Sequence, residues 1–260
     1  MWPLDMADRV LGWLVGAGAM PPNRFRIRIG AGNRILGNQI QHASLPVSLW
    51  FDAFASGAVT QTSDILDLGC GCGRYAWWLW RYSFFGKGYT GRYTGLDVDR
   101  EMIDWCGTHY DARFRFLHVD DRSEVYNPGG ATGGDRGGRW PVDDASQDFV
   151  FSVSVLTHLL AEDLERSITE SARVLRPGGR MQMTVFCVEH FEGRAGGRWS
   201  FRHRRGPAYI ESEKYPEAAV AYEAEHLLEC CREAGLVDVE LIPGDAHSLL
   251  RASKPGGVIA

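Results

Sequence analysis

Residues 64–73 read Asp-Ile-Leu-Asp-Leu-Gly-Cys-Gly-Cys-Gly and carry the chain's clearest chemical signal. Ile65, Leu66 and Leu68 suit a short buried strand, Asp67 stands near its end, and Gly69, Gly71 and Gly73 follow at every second position. The segment Arg74-Tyr-Ala-Trp-Trp-Leu-Trp-Arg81 then suits a helix. A strand running into glycines and then a helix brings bare backbone N–H groups to a ligand. The missing side chains allow that ligand a close approach. Such a loop holds a nucleotide-type molecule. The dinucleotide fingerprint G-x-G-x-x-G needs its third glycine at position 74, where this chain has Arg74. A nicotinamide oxidoreductase is thereby disfavoured.

Further acids stand at further strand ends. Tyr93–Asp97 is a second strand closing on an acid, and Phe114–Asp120 a third, followed by Asp121. Asp148–Val155 is a fourth, with Leu156-Thr-His158 just past it. Arg173-Val-Leu-Arg-Pro-Gly-Gly179 leads into a fifth, Arg180–Phe186. As an ordered set over roughly residues 64–188, these segments resemble the class I S-adenosylmethionine-dependent methyltransferases of the type 11/12 kind. The resemblance implies S-adenosylmethionine as cofactor. It implies cofactor contacts from Asp67, Gly69, Cys70, Gly71, Gly73, Asp97, Val98, Asp120, Asp121 and Ser152. In that family the acid matching Asp97 holds both ribose hydroxyls, which suits a carboxylate that accepts two hydrogen bonds. The turn matching Asp120 and Asp121 faces the adenine edge. Intact Asp67, Asp97 and glycines also speak against a cofactor-binding protein without catalysis.

Methyl transfer from a sulfonium is an in-line displacement that needs alignment and, for some acceptors, removal of a proton. His158 is the first candidate base, because ligands of open α/β sheets sit outside the carboxyl ends of the strands. His190 and His203 are the rivals. His118, inside a strand, reads as structural. No metal is expected: Cys70 and Cys72 lack a second ligand pair at zinc-like spacing, and strand alternation separates His118 and Asp120 from Asp121.

The alternation of strands and helices implies an α/β fold: a doubly wound, Rossmann-like, mostly parallel sheet. Residues 1–63 are expected as an N-terminal helical cap or lid and residues 64–260 as the methyltransferase domain. The cap carries helical segments near 4–15 and 45–57 and a break at Pro21-Pro22. The aromatics Tyr75, Trp77, Trp78, Trp80, Tyr82, Phe84 and Phe85 are expected on the helix after the glycine loop, packed on the core. Glycine-rich residues 126–140 and residues 189–217 read as two insertions, the second a wall of the substrate pocket. A helix over about 217–234 and a strand over Leu236–Ile242 follow. The tail from His247 is a poor match for the family's seventh, antiparallel strand, which is expected short, shifted or absent.

The net charge is 28 − 33 = −5, which excludes a polyanion binder by bulk charge. No apolar run reaches the ~18 residues of a membrane span, and Asp5 and Asp8 precede the apolar stretch 10–15, so neither membrane nor signal peptide is expected. The six cysteines then read as reduced cytoplasmic thiols, with Cys230 and Cys231 split between the two sides of a helix. Arginines at 24–34 and 194–205, interleaved with Trp199 and Phe201, suit an anionic acceptor, RNA bases or plain surface. RNA is disfavoured by the acidic balance. The chain also lacks the Asn/Asp-Pro-Pro-aromatic motif of amino methyltransferases and the Pro-Cys pair of cytosine chemistry. The expected acceptor is a small molecule, methylated on a hydroxyl oxygen first and on nitrogen next.

Overall fold

The computed structural model describes residues 5–7, 10, 14, 21–30, 44–81, 83–121, 123, 127–130, 138–191 and 199–256. In chain order its elements begin with α1 (Asn23–Arg26), α2 (Ser44–Ala55), β1 (Ile65–Leu68), α3 (Arg74–Arg81), β2 (Ser83–Phe84), β3 (Lys87–Gly88), β4 (Tyr93–Asp97), α4 (Arg100–His109) and β5 (Phe114–His118). The second half adds β6 (Gln147–Ser152), α5 (Ala161–Val174), β7 (Leu175–Cys187), α6 (Val188–Phe191), β8 (His203–Arg205) and β9 (Ala208–Ile210). It ends with β10 (Val220–Tyr222), α7 (Ala224–Glu233), β11 (Val237–Ile242) and β12 (Ser248–Ser253). The chain forms two compact units, Ser63–Gly69 with Val119–Ala260, and Met1–Thr62 with Cys70–His118.

In the unit of residues 63–69 and 119–260, β1 pairs parallel with β6 from Ile65↔Phe149 to Leu68↔Ser152. β6 pairs parallel with β7. Ile65, Leu66, Phe149, Val150 and Phe151 are all buried. Consecutive buried apolar residues are what a parallel strand covered on both faces requires. Helix α5 buries Leu164, Ile168 and Ala172, spaced four apart on one stripe. Arg176 donates to Asp148 and to Asp64, 2.7 Å each, and the Asp64 N–H donates to Asp148. This clasp ties the starts of β1 and β6 to the entry of β7.

In the unit of residues 1–62 and 70–118, β4 and β5 pair parallel from Tyr93↔Phe114 to Asp97↔His118. α3 buries Tyr75, Ala76, Trp77 and Leu79, while Trp78 and Trp80 are half-buried and Phe85 is exposed, so the core packing expected of the aromatic run holds only in part. The buried Trp50 on α2 donates its indole N–H to the Tyr75 carbonyl at 3.1 Å. α4 starts at an Asp99 cap, whose carboxylate accepts from the Met102 N–H.

The mostly parallel, Rossmann-like sheet is as expected, and several boundaries are not. The third strand stops at His118, before Asp120, and the fourth at Ser152. Phe84 and Phe85 leave the helix for a hairpin, where Phe85 (φ 53°) and Gly86 (φ 76°) make the turn between β2 and β3. Two successive positive φ values are the geometry of a tight hairpin turn. The helix expected from 217 begins at Ala224, because Val220-Ala-Tyr222 joins the sheet beside the end of β7, with Ala221↔Phe186. The insertion before it holds β8 and β9, which extend the sheet antiparallel from β10. The seventh strand is formed: β12 lies antiparallel between β7 and β11. Its residues alternate buried and half-buried, but Ser-Leu-Leu-Arg-Ala-Ser offers little contrast in polarity, so the pattern is mute in sequence.

Cys230 and Cys231 are both buried rather than split. The expectations that rest on residues 8–9, 11–13, 31–43, 82, 124–126, 131–137 and 192–198, Arg34, Arg194 and Arg198 among them, lie outside the described residues. Among the described residues no helix is long and apolar enough to cross a membrane.

Candidate functional site

Asp67 is buried in β1, opposite Phe151. The strand ends into Gly69 at φ 78°. A Cβ there would stand 2.1 Å from the Val155 Cγ2 methyl, so the segment after β6 closes on this glycine. Ser152, at the end of β6, donates its hydroxyl to the Leu68 carbonyl at 2.9 Å. Ser152 therefore locks the ends of β1 and β6 together.

The rest of the glycine loop is built in the other unit. Gly71 (φ 53°) and Gly73 (φ 78°) take backbone conformations that side chains resist. The Cys70 N–H donates to the Leu96 carbonyl at 3.0 Å, and its buried sulfur packs against Gly95. Asp97 Oδ2 accepts from the Gly71 N–H at 2.7 Å, and Oδ1 from the Asp99 N–H at 2.8 Å. Burial pushes the Asp97 carboxyl above the ordinary aspartate value, and these N–H donors oppose the rise. Each oxygen keeps a lone pair for another donor. The Val98 carbonyl accepts from His118 Nε2 at 3.1 Å, while Arg100 donates to His118 Nδ1 at 3.0 Å. His118 is thus tied between Val98 and Arg100.

The nearby arginine stretch is not a free basic patch. Arg26 is fully buried and donates to the Pro21 carbonyl. Arg28 pairs with Asp99 at 2.7 Å and Glu101 at 2.6 Å. Phe25, Cys72 and Met102 form one buried cluster, with Ile29 and Trp105 against it. The segment after Pro21-Pro22 is pinned over the glycine loop by packing and by charge.

Asp120 is exposed, with the Asn127 amide 3.3 Å from it. Asp121 pairs with Arg166 of α5 at 3.0 Å. The same guanidinium holds Asp163 at 2.7 Å.

His158 lies in a short 3-10 turn (Leu156–His158) after β6. Its Nδ1 is 2.8 Å from the Glu217 carbonyl. A carbonyl only accepts, so Nδ1 carries a proton, and in the neutral ring Nε2 is the nitrogen with the lone pair. Ser123 holds the Glu217 carboxylate at 3.2 Å. His190, on α6, bonds the hydroxyl of buried Ser248 at 2.6 Å. Next to Ser248 stands His247, stacked on Phe186 with ring centres 4.9 Å apart. Burial and then the charge of His158 hold the His247 pKa below its ordinary value. His158, His190 and His247 thus gather around the start of β12. His203 is apart from them, in the β8–β9 hairpin and 3.6 Å from Glu213.

His247 escapes sequence reasoning, because only the formed seventh strand brings it here. The insertion packs Phe201, Phe191, Trp199 and Tyr209 against Phe186 of β7 and against Ala219 and Ala221, with Phe186, Phe201, Ala219 and Ala221 buried. Phe201 is therefore core, not a surface platform for bases.

Comparisons with known proteins bear on the domain type and the fold. The family model of the methyltransferase domain matches residues 66–183. A malonyl-[acyl-carrier protein] O-methyltransferase of Hahella chejuensis is 30% identical over 165 residues, which are 61% of this chain and 49% of that protein. The chain thus spans about half the length of that curated relative. Among solved structures, the Burkholderia thailandensis 1,6-didemethyltoxoflavin-N1-methyltransferase with bound S-adenosylhomocysteine is similar, with a TM-score of 0.50 and 19% identity over 82% of this chain and 78% of that one. A Haemonchus contortus N-methyltransferase in complex with phosphomonomethylethanolamine and S-adenosylhomocysteine has a TM-score of 0.52 and 16% identity over 80% of this chain and 52% of its own. Residues 66–183 thus match a methyltransferase domain, and the parallel sheet with its antiparallel β12 has the fold of the solved methyltransferases named above.

Proposed function

We propose that the chain transfers the methyl group of S-adenosylmethionine to an oxygen of a small-molecule acceptor, with His158 taking the acceptor's proton. The observation that carries this is the 2.8 Å bond from His158 Nδ1–H to the Glu217 carbonyl. It assigns a proton to Nδ1, so that in the neutral ring Nε2 is the basic nitrogen, the form a general base needs.

When bound, S-adenosylmethionine supplies an electrophilic methyl carbon. The backbone around Gly69, Gly71 and Gly73 gives it room, and Cys70 and Val98 flank that backbone. Asp97 offers its remaining lone pairs to the ribose hydroxyls, already oriented by two backbone N–H groups. Ser152 ties the ends of β1 and β6, and by the family resemblance Asp67 would stand near the cofactor and Asp120 and Asp121 on its adenine side. Nε2 of His158 would receive the hydroxyl proton as the acceptor oxygen takes the methyl group, the sulfonium S–CH₃ bond breaks and S-adenosylhomocysteine leaves. The Hahella relative, named an O-methyltransferase, supports oxygen as the attacked atom.

The test is transfer of labelled methyl to a panel of alcohols, phenols, carboxylic acids and amines. His158→Ala should lower turnover on the preferred acceptor by about 10²–10⁴-fold with S-adenosylhomocysteine affinity nearly intact. Label on amines alone would overturn the oxygen acceptor. Loss of turnover in His190→Ala or His203→Ala beside a near-normal His158→Ala would overturn the choice of base.

A further inference from the structure

Away from the residues assigned above, three chemically distinct metal ligands converge on the packed pair of helices α5 and α7. His226 and Cys230 stand four residues apart on α7, hence on one face a turn apart. Glu165 reaches them from α5. His226 Nε2 lies 3.6 Å from Cys230 Sγ and 3.8 Å from Glu165 Oε1. All three ligand atoms fall within 4.8 Å of one another. We infer that Glu165, His226 and Cys230 form a binding site for a zinc-class divalent ion.

The geometry is close to what such an ion needs. Zinc bonds of about 2.3 Å to sulfur and about 2.0–2.2 Å to nitrogen and oxygen leave tetrahedral neighbours roughly 3.3–3.6 Å apart. Closing the triad takes a few tenths of an ångström along the His226 edges and one rotamer adjustment of the exposed Glu165. The imidazole plane is already set, since His226 stacks on Tyr222 with ring centres 5.2 Å apart. A thiolate, an imidazole and a carboxylate form a mixed set that suits zinc or cobalt, whereas magnesium and calcium prefer oxygen ligands alone. Three protein ligands leave a fourth position for water.

Without metal the same atoms make a Cys–His contact, not a reactive dyad. Burial, then the charges of Glu165 and Glu233, push the Cys230 thiol up to about 11. A bound ion would displace that proton and replace a weak contact by two coordinate bonds plus a third across to α5. Its effect would be to pin α7, and the β11–β12 pair that follows it, to α5.

The test uses full-length protein stripped of metal and titrated with Co²⁺. The expected result is one equivalent bound, with a thiolate-to-cobalt charge-transfer band and the strong visible bands of a tetrahedral site, both abolished by Zn²⁺. Cys230→Ser and His226→Gln should each weaken binding by at least about 100-fold, and Glu165→Gln by at least about 10-fold, since losing a direct ligand should cost no less than the roughly 10–100-fold of losing a residue that merely orients one. Because Cys230 is buried, the exposed Glu165→Gln variant guards against misfolding. Zinc should raise the Tm of the wild type and raise that of Glu165→Gln less. Absence of the charge-transfer band, its survival in Cys230→Ser, or an equal zinc-induced Tm rise in Glu165→Gln would each overturn the site.

Discussion

Asp97 is the residue on which the cofactor reading turns, and its carboxylate is committed to the backbone before any ligand arrives. Oδ2 holds the Gly71 N–H and Oδ1 the Asp99 N–H, while the Asp99 side chain caps α4 and pairs with Arg28. Asp97→Ala should therefore weaken S-adenosylhomocysteine binding by about 1.5–3 kcal/mol, the range for hydrogen bonds to a charged group, as read by calorimetric titration. Asp97→Asn can satisfy only one of the two backbone donors and turns an NH₂ group on the other, so it should also lower Tm. Unchanged affinity in Asp97→Ala would remove this residue from the cofactor's hold. The glycines and this acid were legible in the sequence because loop chemistry depends on residue type at fixed spacing. His158 was legible as a position, but its partner was not, since the Glu217 carbonyl comes from 59 residues downstream. Arg26 and Arg28 were read as open charge because composition does not reveal which arginines are buried or paired.

At the scale of elements, two joints decide how the strands meet their helices. The first is the turn at Gly69, where alanine would take a left-handed conformation costing roughly 1–2 kcal/mol and drive its Cβ into Val155. Gly69→Ala should lower stability by more than that strain alone and weaken cofactor binding with it. Urea unfolding beside titration checks both, and an unperturbed Tm would mean that Val155 yields freely. The second joint holds the segment before β6 to α5. Glu170 accepts from the Trp140 N–H at 2.7 Å and from Arg173 at 2.6 Å, and Arg173 also reaches the Val142 carbonyl. Burial pushes the Glu170 carboxyl up, but Arg173 and the Trp140 N–H outweigh it and leave it below the ordinary glutamate value. A folded-state pKa below the unfolded one adds stability above about pH 4.3, and that stability is lost as pH falls through the folded value. Glu170→Gln should cost about 1–3 kcal/mol at neutral pH and flatten the acid limb of the stability curve. An acid limb parallel to that of the wild type would assign the pH dependence elsewhere.

For the molecule as a whole, the order of strands and helices was legible because the parallel strands are short runs of consecutive apolar residues between turn signals. The elements missed were those whose pattern is set by the neighbour rather than by the segment. β10 is three residues long, and β12 buries Ser248 and Ala252 alongside Leu250. One property spans both compact units. All six cysteines are buried thiols rather than halves of disulfides. Burial is also the main cause that pushes the thiols of Cys72, Cys187 and Cys231 up to about 12. A dye that reacts only with accessible thiolate is thereby blocked twice in the native state and freed by opening. Labelling in native buffer should run at the pace of conformational opening, so the thiols act as a stopwatch for local unfolding, readable one cysteine at a time by mass spectrometry. Fast stoichiometric labelling of the native protein would show that the burial does not gate the chemistry. The same six thiols, released together by unfolding under oxidising conditions, can pair at random, so loss of the fold there should become irreversible.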